Sequence, residues 1–447
     1  MVKMLDSIRV QQGSVALLDI IEGDLYVAEN ATIKAKGSQK ITVSGVIQCD
    51  GDCRFDCSVS AASLKGRDGE IIIKGDLLIE RSIEVDDGSL LVEGNLTAKD
   101  IEVDRELNIG KDLNADTVKV GGKLKIGGST RAEDIDVGGA LESSGDIKAK
   151  TIDVGGAAKI NGSVTSSLLD VGGYFHGKGT VNVNRINVGG TFHAESEVFS
   201  EDLDVGGTVE IAGGEIKGKI DVGGTFFSSK PLVFKFIDVG GSVKLTGACR
   251  GERISVGGTL NVDGDLVFSE IDVGGSVDIS GNAEGVEIDV GGRLRVKGRL
   301  KLSSNLDVGG VVEVYEKLEA KSINVGGSLK ARRIEVLDLV DVGGEISTTE
   351  GLKAERVRIG KSGKIRGIVA AREVNISERA EVEDVYADVL VMEERASARN
   401  VYARRVYLER RCRILGELQY TEELKSEENV YFTMEPKKVD FLPAPPI

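Results

Sequence analysis

An aspartate recurs immediately before a Val-Gly-Gly triplet, at Asp136, Asp153, Asp170, Asp204, Asp221, Asp238, Asp272, Asp289, Asp307 and Asp341. Asn187 and Asn324 stand in the same place in two copies. If successive copies stack at a strand spacing of about 4.8 Å, these carboxylates form an outward ladder. Such a ladder either binds cations or repels itself. Calcium-binding solenoid loops place their aspartate after a glycine-rich turn, and this sequence places it before one. The spacing instead predicts a structural corner. Each aspartate is expected to accept the N–H of the glycine two residues on, as an Asx-turn, a role an asparagine amide also fills.

The two histidines, His176 and His193, lie 17 residues apart, each directly after a phenylalanine (Phe175 and Phe192). Glu210 follows at the same interval. The three are expected in one outward file. That file suits a transition metal or a partner surface, against the plainer reading of two adjacent exposed side chains in a ladder, which is preferred. Cys49, Cys53 and Cys57 form a C-x3-C-x3-C run, with Cys249 and Cys412 isolated. A zinc site wants closer pairs and a fourth ligand, whereas small apolar cysteines suit a narrow interior. The glycine pairs are not nucleotide loops, which need their glycines between a strand and a helix. No catalytic residue and no cofactor are expected, since enzymes on such scaffolds mount their chemistry on long excursions. An enzyme is therefore not the expectation.

The element that must position these residues is a repeat. The valine of Val-Gly-Gly falls at Val120, Val137, Val154, Val171, Val188, Val205, Val222, Val239, Val256, Val273, Val290, Val308, Val325 and Val342. Every step is 17 residues except the 18 from Val290 to Val308. The phase continues back to Val103 and on to Ile359 and Ile376. Within one copy, counted from Val137 as position 1, apolar or small residues occupy positions 1, 5, 7, 11, 13 and 16. Alternation of this kind is the strand signature. Three short strands separated by three corners predict a single-stranded parallel β-helix, an all-β solenoid of triangular section. Roughly 23 coils of 17 residues at about 4.8 Å each would make one rod near 110 Å long. A helical repeat is excluded because the glycines would each cost about 1 kcal/mol in a helix.

Segment by segment, residues 1–23 are expected to be a cap or flexible, with Val15, Leu17, Leu18, Ile20 and Ile21 as a possible end contact. Residues 24–102 read as degenerate coils, 103–350 as strict coils, 351–420 as a further coil set, and 421–447 as a flexible, proline-bearing tail. With 59 glycines, 5 prolines and no tryptophan in 447 residues, the glycines are expected to serve turns of positive φ. The formal charge of −16 argues against a nucleic-acid partner. Arginines gather after Arg356, which gives the chain a charge asymmetry. Five cysteines do not make a disulfide framework, and the first residues hold no apolar core of signal-peptide length. A cytoplasmic protein is the expectation, and MVKML is too brief to claim as a membrane-targeting end.

The stretch VRIGKSGKIRGIVAAREVNISERAEVEDVYADVLVMEERASARNVYARRVYLERRCRILGEL repeats a file of small and apolar residues (G-x-V-x-A-x-x-V-x-I) broken by short polar corners. A fainter version runs through ATIKAKGSQKITVSGVIQCDG. In this cadence the chain resembles the bactofilin family of polymer-forming cytoskeletal proteins, although it is far longer than a typical bactofilin domain. The resemblance implies a right-handed β-helix that assembles end to end, with itself as partner and without nucleotide. A monomeric solenoid presenting an acidic face to proteins or cations is the alternative. The proline-rich tail is a further place for a protein partner.

Overall fold

The computed structural model describes residues 7–447. They fall into two compact units, one ending at Gly223 and the other beginning at Gly224. Each unit is an all-β parallel solenoid, with no helix among the described residues.

The repeat explains the geometry of the first unit. Strands Asp134–Val137, Ala140–Ser143 and Ile147–Lys148 make one coil. They pair in parallel, residue for residue, with the copy 17 positions on: Ile135 with Ile152, Leu141 with Ala158, Ile147 with Val164. Val137, Leu141, Ser143, Ile147, Ala149 and Ile152 are all buried, as the alternation predicts. Like side chains therefore stack on like. The Phe175 and Phe192 rings lie nearly parallel with centroids 4.9 Å apart. Ser143 joins the interior by donating its hydroxyl to the Gly145 carbonyl at 3.0 Å.

The Val-Gly-Gly corners need glycine for a different reason from the one expected. None of these pairs adopts the left-handed region. Instead the backbones of successive corners nearly touch. A Cβ on Gly138 would lie 2.3 Å from the Gly121 carbonyl oxygen, and one on Gly155 would lie 2.4 Å from that of Gly138. Only a residue without a side chain permits that approach.

The beginning of this unit departs from expectation as well. Ile8–Val10 pairs with Leu25–Val27, Val15–Leu18 with Thr32–Ala35, and Ile20–Ile21 with Thr42–Val43. Residues 8–21 are thus a coil, not a cap or a flexible leader, because they meet the same ladder as the rest. The MVKML stretch lies outside the described residues. The next coil is longer, since Ile47 rather than a residue 17 positions on pairs with Leu25.

In the second unit the column from Val239 through Val256, Val273, Val290, Val308, Val325 and Val342 leads to Ile359 and Ile376. Beyond it the coil shortens by one residue, with Ile376 opposite Met392 and Met392 opposite Leu408. The corner changes too. Arg379, Arg395 and Arg411 take φ of 60°, 61° and 60°, an uncommon left-handed state for a residue with a side chain. Each sits in a tight turn closed by a backbone bond such as Ala380 N–H to Ser377 O at 3.0 Å. Glutamates of the following coil hold these turns, Glu393 Oε2 accepting the Glu378 N–H at 3.0 Å and Glu409 Oε2 the Glu394 N–H at 2.9 Å.

Residues 421–447 are not the free tail their composition suggests. Leu418–Ser426 pairs with the coil below, Tyr431–Phe432 pairs with Arg413–Ile414, and Lys437–Lys438 pairs with Gln419–Tyr420. The chain then runs along the flank, where Ile447 packs against Gly351. Composition misled because the charged positions face outward while the backbone still finds a ladder.

Candidate functional site

Three features of the coil surface have functional potential, and each begins with the strict register. The first is the aspartate ladder. Asp136, Asp153 and Asp170 are register partners in successive coils, with Asn187 and Asp204 continuing the file. The expected Asx-turn is absent. The glycine N–H two residues after Asp136 and Asp153 donates to a carbonyl of the coil below, Gly138 to Val120 O and Gly155 to Val137 O, each at 2.9 Å. With that donor committed, none of Asp136, Asp153 and Asp170 accepts a side-chain hydrogen bond. Partial burial, followed by the charges of Asp170 and Asp136, pushes the Asp153 carboxyl above its ordinary range. The ladder is therefore a strip of mutually repelling carboxylates. Asp221 differs in pairing with Lys219. In the second unit Asp272, Asp289 and Asp307 are again register partners and, with Glu270 and Glu287, line a shallow acidic depression. Asp238 opens that column opposite Ser255, and Asp341 lies opposite Arg358.

The second feature is the histidine file. His176 lies in strand Tyr174–Gly177 and His193 in Thr191–Ala194, side by side in register, with Glu210 the partner of His193. Their rings are 4.9 Å apart. His176 Nε2 is 2.8 Å from Glu195 Oε1, and His193 Nδ1 is 3.0 Å from Glu210 Oε2. Glu195 escaped the sequence reading because it is not in the same file. It lies two residues beyond His193, where the corner turns its carboxylate back toward both rings.

The cysteines sit inside, as their size suggests. All five are free and buried. A hydrogen bond with Cys53, reinforced by burial, holds the Cys49 thiol well above its usual range. Burial pushes Cys412 up to about 11. Thiols kept neutral by burial in this way are poor nucleophiles. Among the described residues, His176, His193 and Glu195 are the one group of three such side chains close enough to share a metal ion.

The third feature lay beyond any motif. Tyr386 and Tyr402 stack outward from adjacent coils with centroids 4.8 Å apart at 25°. Beside them a cavity is lined by Lys353, Arg372 and Asp388 on the coils and by Leu442, Pro443 and Pro445 of the C-terminal segment, whose prolines stay exposed. Asp384 supports this face by pairing with Arg399 at 2.7 Å, which holds its carboxyl below the usual range.

Among the described residues no helix is long and apolar enough to cross a membrane. No protein-family model, curated protein or solved structure matches the chain.

Proposed function

We propose that this protein is a structural, cytoplasmic scaffold that self-assembles through its coil edges into nucleotide-independent filaments, in the manner of the bactofilins it resembles. The observation that carries this reading is the first described coil. Its strands pair in parallel with the next coil. Yet its outward positions hold Val15, Leu17 and Ile20, which are 63%, 62% and 71% exposed. Elsewhere those positions are mostly polar. Apolar side chains beside strand edges favour association with a like surface.

A second reading, a monomeric binding platform, is favoured by the cavity beside Tyr386 and Tyr402 that Leu442, Pro443 and Pro445 also line. An aromatic-walled groove flanked by a proline-bearing segment has the features of a peptide-docking surface.

Electron microscopy of the purified protein in negative stain, across salt concentrations and without nucleotide, separates the two. Filaments many chains long, lost in a Val15→Asp, Leu17→Asp variant, support the scaffold. Uniform short particles at every salt concentration would reject it and favour the platform.

A further inference from the structure

We propose that His176, His193 and Glu195 form a binding site for one divalent transition-metal ion, with Glu210 orienting His193. The chain's two histidines lie adjacent in register. One ligand atom from each histidine and one from Glu195 lie within 4.8 Å of one another. Zinc-type bonds of about 2.0–2.2 Å bring such atoms closer than this, a contraction that small rotamer adjustments of the half-buried histidines and the exposed glutamate supply. The side chains are 23%, 27% and 47% exposed, so an ion reaches them from solvent without the coil opening.

The hydrogen bonds sort the four residues into roles. His193 places Nδ1 on the Glu210 carboxylate. Donation from that nitrogen leaves Nε2 with its lone pair, and a carboxylate behind a ligating histidine is the usual means of fixing tautomer and ring orientation. Glu195 lies at hydrogen-bond distance from His176, where its oxygen can exchange that bond for coordination. Glu210 is therefore a positioning residue and Glu195 the ligand, the reverse of what the 17-residue file suggests. Behind the pair, the stacked Phe175 and Phe192 rings pin the two strands and hold the histidines at constant separation. Two imidazoles and a carboxylate suit Zn2+, Co2+, Ni2+ or Fe2+ rather than Ca2+ or Mg2+, which take oxygen ligands. Lys159 precedes His176 in the file and is a nearby positive charge that the ion must tolerate.

The test is titration of the untagged, full-length protein with Co2+, followed by its visible absorption and by competition with Zn2+. One ion per chain should bind with a histidine-type spectrum that Zn2+ abolishes. The His176→Ala, His193→Ala double variant, checked for fold by circular dichroism, should lose that spectrum. Glu210→Gln should weaken binding about 10–100-fold while keeping the stoichiometry. Co2+ binding unchanged in the double variant, or no cobalt spectrum in the parent protein, would overturn the proposal. These readouts are independent of assembly state, so the site and the scaffold reading stand or fall separately.

Discussion

Gly156 lies directly over Gly139: its N–H donates to the coil below at the Gly139 carbonyl, 3.0 Å away, and a Cβ on it would approach that same oxygen to 2.5 Å. Hydrogen bonding and steric exclusion thus act on one atom. Tilting the backbone to accommodate a side chain necessarily weakens the bond.

Gly156→Ala is accordingly expected to destabilise the first unit through overpacking, by about 1–3 kcal/mol. The replacement favours no new backbone conformation, since the residue is not left-handed. Denaturant unfolding, with hydrogen exchange at neighbouring coils, measures it. A loss below about 0.5 kcal/mol would mean that the corner slides freely.

Replacing Asp153 by asparagine should be stabilising at neutral pH. The folded-state carboxyl is raised by partial burial and by Asp170 and Asp136. Its contribution is therefore favourable at pH values below the unfolded pKa and is lost as pH rises through the folded one. Because the ladder is open to solvent and salt, the gain should be under about 1 kcal/mol. It should shrink when the pH drops below the carboxylate range. Melting curves of parent and Asp153→Asn protein at neutral and acid pH test this, and destabilisation by the asparagine at neutral pH would refute the repulsive ladder.

Thr130 is 3% exposed, and its hydroxyl oxygen has no hydrogen-bond partner. Its register neighbours are Leu113 and Ile147. Thr130→Val should therefore raise stability by about 1–3 kcal/mol, the cost of a buried unsatisfied polar group. A lower melting temperature for the valine variant would show that the hydroxyl is satisfied in solution.

Cys412, whose thiol burial pushes up to about 11, should resist thiol reagents at pH 8 until the chain is denatured. Burial also ties it to stability at high pH. The neutral thiol is favoured up to the unfolded value near 9.0, and that contribution is lost as pH rises toward 11. Comparing Cys412→Ala with the parent across this interval checks the sign, because the variant should lose less stability on alkalinisation.

The coil itself was legible in the sequence because a period-two alternation within a 17-residue phase leaves one way to bury every apolar position. Val137, Leu141, Ile147 and Ile152 went inside as the pattern required. The cysteines followed by size. The histidine neighbours were legible from spacing alone, since register preserves the interval.

Contacts that cross the repeat were decided only by tertiary structure. Glu195 reaches His176 from outside the file because a corner reverses its direction. The N–H groups expected to hold the aspartates instead went to carbonyls one coil below, since backbone pairing between coils claimed them first. The C-terminal segment took a place in the ladder and beside the coil flank despite its charge and prolines, because those surfaces exist only once distant coils have stacked. Periodicity fixes which side chains face inward, an interval that a linear sequence contains. Partners across corners depend on the path of the backbone in space, which no interval records.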